Sequence, residues 1–415
     1  MSFLYPFLNF LQPGILWPEL ADLRPMLVAS VIGLLAGWMR RAEFSRSQAF
    51  GGKVFVYLIL FLCVQVLSLY YTGLLGMLGE LVFWYVFALF VAISILLMSD
   101  VTAIKRYVWG MMLGGMVVVA YGIYAVPAWG GYIHSGRAGA YGMYENHNDY
   151  SFIIIQIIPF LYMYMRFDKG FFRRLLLAGS LGACGVGMAM SLSRGGMIAL
   201  VIEAALIIMI GMEGKRRFLL LPVLALVGAL AITYQYAKRA ENQGAGYTAE
   251  DAESGRFELW KAGIRMLQHH PFLGVGSRRF AEYSSDYYDL SHDMRGKVSH
   301  NTYVEVFAGS GFLGIGAFLA AFYYLIRDLR KRPRVHGPPI LDATRKATLI
   351  AILAILVRAF LDAKPHDWSL YTLCAIGIAC CCLQRRLDLA ATQDNGVGSE
   401  TAPAASDLPA LALKY

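Results

Sequence analysis

Continuous apolar runs of about twenty residues recur along most of the 415-residue chain, and they constrain the fold more than any other feature. An α-helix of about that length crosses the hydrocarbon core of a bilayer. Hydrophobic residues make up 58% of the chain and charged residues only 16%, which is more apolar surface than a soluble fold of this size can bury. Because the runs are continuous rather than alternating, they exclude a membrane β-barrel. The sequence therefore predicts an all-α polytopic membrane protein.

The apolar runs predict about twelve transmembrane helices. They cover residues 1–18, 25–39, 52–70, 79–98, 107–127, 149–165, 175–191, 196–212, 218–235, 303–326, 346–362 and 367–383. Pro6 and Pro13 interrupt the first run, so this run is either an interfacial helix or a kinked span.

This layout divides the chain into four regions. Membrane helices occupy residues 1–235 and 303–386, on either side of one large, partly helical loop at 236–302. Residues 387–415 are polar and rich in small residues, and we expect them to form a disordered tail. All six cysteines lie in apolar segments without a CxxC pair, so neither disulfides nor a zinc site is expected.

Lysine and arginine gather in alternate connections between the predicted spans, which is typical of the cytoplasmic side of a membrane protein. These connections hold 23 of the 37 basic residues. The residues are Arg40, Arg41, Arg46, Lys53, Lys105, Arg106, Arg166, Lys169, Arg173, Arg174, Lys215, Arg216, Arg217, Arg327, Arg330, Lys331, Arg332, Arg334, Arg345, Lys346, Arg385, Arg386 and Lys414. The pattern predicts that both termini are cytoplasmic and that the large loop faces the opposite side. It also accounts for most of the net charge of +9 without a nucleic-acid partner.

Three motifs on the side opposite the basic connections carry chemically versatile residues. The first is SRGG at residues 193–196, where Arg194 lies in a turn between two spans and two glycines allow backbone or ligand to approach closely. An arginine at the membrane boundary needs an anion or a polar cavity. Contact with a lipid phosphate would stabilise Arg194 equally well, so the motif alone is consistent with either a ligand-binding or a lipid-contacting arginine.

The second motif, GRFELWKAGIRMLQHHPFLGVGSRRF, spans residues 255–280 of the large loop. An apolar stripe of Phe257, Trp260, Ile264 and Leu267 predicts an amphipathic helix that ends before Pro271. Arg256 and Arg265 are nine residues apart, which is two and a half helical turns, so they point to opposite sides.

Arg256 lies near the apolar stripe and is expected to fasten this helix, while Arg265 faces away and is a candidate to line a cavity. Arg278 and Arg279 follow in the same motif. A solvated helix face is the alternative for each arginine.

The third motif begins at His300 and Asn301, directly before a predicted span that contains Gly309, Gly311, Gly314 and Gly316. The small residues predict close helix packing. A histidine at this boundary is partly desolvated, and neighbouring charges can bring its pKa near neutrality.

Two further groups lie near the same boundary. Asn148 is a candidate for hydrogen bonds to sugar or phosphate, although a helix cap explains it equally well. Arg358 and Asp362 are four residues apart and are expected to form a structural ion pair.

These motifs resemble the O-antigen ligase family of membrane glycosyltransferases, which is related to O-antigen polymerases and protein O-oligosaccharyltransferases. The resemblance covers roughly residues 140–330 and rests on SRGG, RFELW, HPFLGVGSRRF and HNTYVEVFAGSGFLG. It implies a GT-C-like fold and transfer of a glycan from undecaprenyl diphosphate to an acceptor at the periplasmic face of the bacterial inner membrane. The reaction implied needs no nucleotide sugar, metal or other cofactor.

By this resemblance, His300 is the catalytic residue, and Arg194 and Arg265 bind the diphosphate. Arg256, Arg279, Asn148 and Asn301 are further candidates for substrate binding. The diphosphate leaving group accumulates negative charge, and paired guanidinium groups are well suited to hold it.

The acceptor is expected to be a lipid A-core sugar hydroxyl, which makes the protein an O-antigen ligase. A growing lipid-linked glycan and a protein hydroxyl are the alternative acceptors, because polymerases and protein ligases use similar donors. A transporter of lipid-linked glycans is a further alternative. It would require ionisable residues near the bilayer midplane, and the predicted spans carry few.

Overall fold

The computed structural model describes residues 1–39, 50, 52–70, 73–131, 135–215, 217–243 and 249–396. The predicted basic connection at 40–46 and the tail from residue 397 onward lie outside the described residues. Within those ranges every regular element is helical, and no strand is present. The all-α fold class is therefore confirmed.

Fifteen α-helices are described in chain order. They are α1 (Leu4–Leu11), α2 (Pro13–Leu16), α3 (Pro25–Met39), α4 (Lys53–Leu67), α5 (Gly73–Leu96), α6 (Val101–Trp129), α7 (His147–Phe167), α8 (Phe171–Ser191), α9 (Arg194–Leu206), α10 (Arg217–Gln243), α11 (Ala249–His269), α12 (Phe280–Tyr287), α13 (Thr302–Arg330), α14 (Pro339–Arg358) and α15 (Trp368–Gly396).

Eight helices among the described residues are long and apolar enough to cross a membrane. They are Pro18–Met39, Gly73–Leu96, Val101–Trp129, His147–Phe167, Phe171–Ser191, Arg194–Gly211, Arg217–Gln235 and Thr302–Arg330. The other four of the twelve predicted spans correspond to the N-terminal segment, to the shorter apolar helix α4, and to α14 and α15. The chain is a polytopic membrane protein.

The first predicted span is broken into the short helices α1 and α2. Gln12 separates them in a left-handed conformation (φ 48°), directly before Pro13. A Cβ atom added at Gly110 would lie 2.1 Å from the carbonyl oxygen of Phe3, so the backbones of α1 and α6 are in close contact. Tyr5 and Phe10 are buried by this packing.

Burial distinguishes central helices from those at the perimeter. Helix α7 lies at the centre, with 78% of its most apolar stretch buried inside the protein. Helix α10 is at the perimeter, where only 11% of the corresponding stretch is buried and Leu219, Leu226 and Leu230 are exposed. Apolar side chains exposed on a membrane helix are satisfied by lipid, so α10 presents a lipid-facing surface.

The large loop contains the predicted amphipathic helix, but the face that it buries is different from the predicted one. Helix α11 ends at His269, as expected from Pro271, and buries Leu259 and Met266, whereas Phe257 and Ile264 are exposed. The reason is Gly263, where an added Cβ would lie 2.4 Å from Val304 Cγ1. The glycine lets α11 approach α13 closely and so selects the buried face.

Residues 271–276 of the loop hydrogen-bond to a break in helix α13. Gly311 has φ 62° and ψ −164°, and the Phe312 N–H donates to the Pro271 carbonyl oxygen at 2.7 Å. Val275 N–H donates to the carbonyl oxygen of Ala308 at 2.8 Å. Gly309 and Gly311 therefore allow the loop backbone to pack closely against α13, whereas the sequence predicted close packing of a neighbouring helix.

The last helix continues to Gly396, into the segment that the sequence predicted as a disordered tail. Gln384 Nε2 donates to the Val335 carbonyl oxygen at 2.9 Å, and Asp388 Oδ1 accepts the backbone N–H groups of Arg334 and Val335 at 3.1 Å each. These bonds to the α13–α14 connection stabilise the additional turns of α15.

Candidate active site

His300 lies half-buried at the start of α13, held by its two neighbours in the chain. It has a left-handed backbone conformation (φ 51°). Ser299 donates from both its backbone N–H and its hydroxyl to Glu305 Oε2, at 3.1 and 2.8 Å. Asn301 Oδ1 accepts the backbone N–H groups of Tyr303 and Val304 and so caps α13. These contacts fix the backbone on both sides of the imidazole.

The large loop contacts the same segment through α11. Trp260 Nε1 donates to the Ser299 carbonyl oxygen at 3.1 Å. Arg256 lies one helical turn before Trp260 and seven residues before Gly263, so it shares the face of α11 that packs on α13. Its positive charge acts on His300 and lowers the pKa of the imidazole.

Arg265 lies on the other face of α11. Its guanidinium group is exposed, stacks 5.0 Å from the ring centre of Tyr288 and donates to the Tyr287 carbonyl oxygen at 3.4 Å. Of the two arginines in this helix, the structure thus brings Arg256 towards His300 and holds Arg265 against the second half of the large loop.

Arg278 and Arg279 lie at a separate place on the loop. Arg278 forms an ion pair with the buried Glu80 at 3.3 Å and stacks 3.8 Å from the ring centre of Phe83. Arg279 pairs with the exposed Glu282 at the rim of a cavity of about 560 Å³. Neither arginine is among the charges that act on the pKa of His300.

The SRGG motif begins helix α9 and contacts Asn148. Ser193 is the N-cap, with its hydroxyl oxygen accepting the Gly196 N–H at 3.2 Å, and the same hydroxyl donates to Asn148 Oδ1 at 2.8 Å. Arg194 is the first residue of α9 and is half-buried. A Cβ added at Gly195 would lie 3.3 Å from Leu361 Cβ, so the glycine allows close contact with the connection after α14.

This connection, residues 359–367, joins the SRGG and His300 motifs. Thr302 N–H donates to the Ala359 carbonyl oxygen at 2.7 Å, and the Thr302 hydroxyl donates to the Asp362 carbonyl oxygen at 2.7 Å. Lys364 N–H in turn donates to Thr302 Oγ1 at 2.9 Å. The first turn of α13 is therefore attached to the segment that also packs on α9.

Arg358 is the buried centre of this junction. It is 1% exposed, forms the predicted ion pair with Asp362 at 3.4 Å, and donates to Ser151 Oγ at 2.9 Å and to the Asn148 carbonyl oxygen at 2.6 Å. Asn148 thus links α7 to both α9 and α14. Its side chain supplies the bond to Ser193 through Oδ1, and its backbone carbonyl oxygen supplies the bond to Arg358.

Lys364 is a cation in the site that the sequence analysis did not identify. Its Nζ atom lies 2.5 Å from Asp149 Oδ1. Burial alone would lower the pKa of Lys364, but the carboxylates of Asp149, Asp362 and Asp367 outweigh it and raise the pKa above its ordinary value. Lys364 is therefore a fixed positive charge near neutral pH.

The surroundings of His300 lower the pKa of its imidazole below the ordinary value near 6.5. Burial is the largest cause, and Arg256 is the next. Lys297 and Lys364 act in the same direction, whereas Asp362 opposes them. The imidazole is therefore neutral near pH 7 and able to accept a proton.

His366 is a second imidazole at this end of the bundle, but its environment is different. It packs edge-on against Phe83 and Trp84, with ring centres 6.0 and 5.2 Å away. Burial lowers the pKa of His366 to about 3, with contributions from Arg278 and Lys364. This imidazole packs against aromatic rings, and a base with so low a pKa takes up a proton poorly near neutral pH, so His300 is the better candidate base.

Glu203 is an ionisable residue inside a span that the charge pattern did not single out. It lies nine residues beyond Arg194 in α9 and is fully buried, and neither carboxylate oxygen has a hydrogen-bond partner among the described residues. Ionisable groups at such depth are costly, so Glu203 is an exception to the predicted charge-poor midspan.

No group of three or more histidine, cysteine, aspartate or glutamate side chains is arranged to hold a metal ion in the described part of the chain. The charges that act on His300 come from α11 (Arg256), from the segment before α13 (Lys297) and from the 359–367 connection (Asp362 and Lys364), and Arg194 is not among them.

A family model described as O-antigen ligase matches residues 179–319. The match includes Arg194, Arg256, Arg265 and His300 and confirms the resemblance noted in the sequence. A search of curated proteins gives no match. Members of the matched family are membrane glycosyltransferase-like enzymes with lipid-linked glycan and acceptor substrates. Residues 179–319 are therefore similar to the O-antigen ligase family, and they lie within an all-α polytopic membrane fold.

Proposed function

We propose that this protein is an O-antigen ligase of the bacterial inner membrane. It transfers a glycan from undecaprenyl diphosphate to a lipid A-core sugar hydroxyl at the periplasmic face, without a metal ion or a nucleotide sugar. The observation that carries the proposal is the lowered pKa of His300 beside the positive charges of Arg256 and Lys364. A neutral base next to several cations suits a reaction that removes a proton and releases a diphosphate.

In the proposed reaction, the neutral imidazole of His300 accepts the proton of the acceptor hydroxyl. The hydroxyl oxygen forms a bond to the anomeric carbon from the side opposite the diphosphate, and the bond between that carbon and the diphosphate oxygen breaks. The diphosphate leaves with the bonding electron pair, and the configuration at the anomeric carbon is inverted. General-base assistance of this kind typically contributes about 10²- to 10⁴-fold in rate.

The diphosphate is held by cations that come from three separate parts of the chain. We propose Arg194, Arg256 and Lys364 for this role. Arg256 takes the place that the sequence analysis gave to Arg265, because Arg256 acts on His300 while Arg265 stacks on Tyr288. Arginine holds phosphate oxygens through paired hydrogen bonds, and lysine adds a compact point charge.

The remaining candidate residues have supporting positions. Asn148 and Asn301 hold the helix ends that carry Arg194 and His300. Arg279 lies at the rim of a different cavity, together with Glu80 and Glu282. There it is placed to contact a distal part of the glycan.

An apolar cavity of about 450 Å³ supports the lipid-linked nature of the donor. It is lined by Tyr5, Phe90 and Trp368, with Gln12 and Arg24 among its polar residues. Trp368 begins α15 directly after the 359–367 connection, so this cavity adjoins the site. An apolar cavity next to a cationic site is suited to a polyprenyl chain whose diphosphate lies among the cations.

The identity of the acceptor is tested with purified, full-length protein that is reconstituted in liposomes with an undecaprenyl-diphosphate-linked glycan. Lipid A-core, a second lipid-linked glycan and a pilin-type protein are supplied in separate reactions. The ligase proposal predicts that glycan appears on lipid A-core alone. Extension of the lipid-linked glycan would instead indicate a polymerase, and transfer to protein would indicate a protein O-oligosaccharyltransferase.

A further inference from the structure

A second polar cavity lies at the end of α13 opposite His300. Its volume is about 260 Å³, and it is bounded by the end of α13, the α13–α14 connection, α14 and α15. Asp328 in this cavity is 26 residues beyond Thr302, which corresponds to roughly 40 Å along a helix. The cavity is therefore separate from the proposed active site.

The lining of this cavity has an excess of positive charge. Five basic residues and two acidic residues line it, namely Lys331, Arg332, Arg334, Arg345, Arg385, Asp328 and Asp388. Asp328 is already paired with Lys331 at 2.8 Å, with Arg327 at 2.9 Å and with Arg385. Asp388 accepts two backbone N–H groups. The two carboxylates are thus engaged and leave a net cationic surface.

Arg332 and Arg334 supply the guanidinium groups that are open to a ligand. Both residues are exposed, and neither guanidinium group has a hydrogen bond or an ion pair with the protein across the described ranges. By contrast, Arg345 donates to the Lys331 carbonyl oxygen at 2.9 Å and to Asp342 at 3.0 Å, and so stabilises the cavity wall. Guanidinium groups prefer to bind carboxylate or phosphate oxygens in pairs.

A narrow crevice adjoins this cavity between the membrane helices. It shares Asp328, Cys381 and Arg385 with the cavity, and its other walls are apolar and include Phe55, Leu325 and Ile378. Its volume is only about 10 Å³, so it has no room for an acyl chain. A ligand of the cavity is therefore held by charge, and the position of the cavity at the ends of membrane helices suits the headgroup of an anionic lipid.

We propose that this cavity binds the phosphate headgroup of an anionic phospholipid from the leaflet opposite His300, with Arg332 and Arg334 contacting the phosphate and the acyl chains remaining in the bilayer. This site is independent of the proposed transferase reaction. Soluble phosphate presents the same oxygen atoms but is not anchored in the bilayer, so competition by inorganic phosphate distinguishes the two ligands.

The experiment uses the full-length protein in phosphatidylcholine nanodiscs that contain increasing fractions of phosphatidylglycerol. Retained phosphatidylglycerol is measured by mass spectrometry after detergent washing, for wild type and for the double variant R332Q/R334Q. The control is K105Q/R106Q, which removes two basic residues from the start of α6. Trp109 in α6 contacts Tyr164, and Tyr164 hydrogen-bonds Thr344 beside the cavity, so both pairs of residues lie at the same end of the bundle.

We expect R332Q/R334Q to weaken phosphatidylglycerol binding about thirtyfold, because two charge contacts are lost. The control is expected to bind like wild type, and inorganic phosphate at millimolar concentration is expected not to displace the lipid. Equal losses in both double variants would overturn the proposal in favour of general surface charge. Displacement of the lipid by inorganic phosphate would overturn it in favour of a soluble anion.

Discussion

The ion pair between Lys364 Nζ and Asp149 Oδ1, at 2.5 Å, joins the 359–367 connection to the first turn of α7. The same connection hydrogen-bonds Thr302 at the start of α13 and contacts Gly195 at the start of α9. Three membrane helices therefore depend on one short segment for the relative positions of their ends. In this way residues that are far apart in sequence meet at one connection, and Lys364 of this connection acts on His300.

Replacement of Lys364 by glutamine tests this junction. The change leaves Asp149 without its cation, so we expect K364Q to lower the free energy of unfolding by about 1–3 kcal/mol, measured by denaturant unfolding in detergent. D149N is the matched variant. Because the two residues share one contact, the double variant should lose less than the sum of the single losses. Strictly additive losses would show that the ion pair does not contribute to stability.

The pH dependence of transfer reports the pKa of His300. The neutral imidazole is the active form, so kcat/KM should be constant near neutral pH and fall as the pH drops through a pKa below 6.5. K297Q removes one of the cations that lower this pKa, and should move the acidic limb to higher pH. K261Q, an exposed lysine of α11 that is not among the groups acting on His300, is the control. An unmoved limb in K297Q would argue against His300 as the titrating group.

The same shift in pKa has a consequence for stability. His300 has its ordinary pKa in the unfolded chain and a lower pKa in the folded protein, so the unfolded state binds a proton more readily. The contribution of this group to stability is therefore complete above the ordinary pKa and decreases as the pH falls below it. Thermal unfolding of wild type and H300Q between pH 5 and 8 measures the difference, using about 6.5 as the reference pKa.

Arg256 and Arg265 offer an internal comparison, since they are the same residue type in one helix. We expect R256Q to lower kcat/KM by about 10²- to 10³-fold, because it removes a cation beside the reacting groups. R265Q should remain close to wild type, because the Arg265 guanidinium group stacks on Tyr288 and is exposed. A larger loss in R265Q than in R256Q would show that the diphosphate binds on the other face of α11.

Substitution of Glu203 tests the alternative that the protein transports lipid-linked glycans rather than transferring the glycan to an acceptor. E203Q replaces a fully buried carboxyl group that has no hydrogen-bond partner among the described residues. We expect wild-type transfer activity and an unfolding temperature equal to or above that of wild type, since a neutral amide costs less to bury. E305Q is the contrasting variant, because Glu305 accepts two hydrogen bonds from Ser299. Loss of activity in E203Q alone would favour a role for a membrane-embedded proton site.

The fold class follows from the sequence because the length of an apolar run and the thickness of a bilayer are directly related. Local breaks were only partly predictable. Pro13 marked the interruption of the first run, whereas Pro6 lies within the first turn of α1. The break at Gly311 depends on hydrogen bonds to the Pro271 segment, about forty residues away. A glycine inside a span gives no indication of whether a helix or a loop will contact it.

The sequence predicted the relative positions of residues within one motif, but not which motifs contact one another. Helical geometry placed Arg256 and Arg265 on opposite faces, but the choice between them required the packing of Gly263 on Val304, a tertiary contact. Lys364 was missed because it lies in a short connection, far in sequence from the SRGG and His300 motifs. Asp362 and Asp367, on either side of Lys364, are sequence signals that mark this connection as polar.

The central claim is that His300 removes the proton from the acceptor hydroxyl. The most direct test compares purified wild type, H300A and H292A in liposomes with a lipid-linked glycan donor and lipid A-core acceptor. His292 is the matched control, because its side chain is 99% exposed in the same loop. We predict that H300A loses about 10²- to 10⁴-fold in transfer rate while H292A keeps the wild-type rate. Transfer by H300A at the wild-type rate would contradict it.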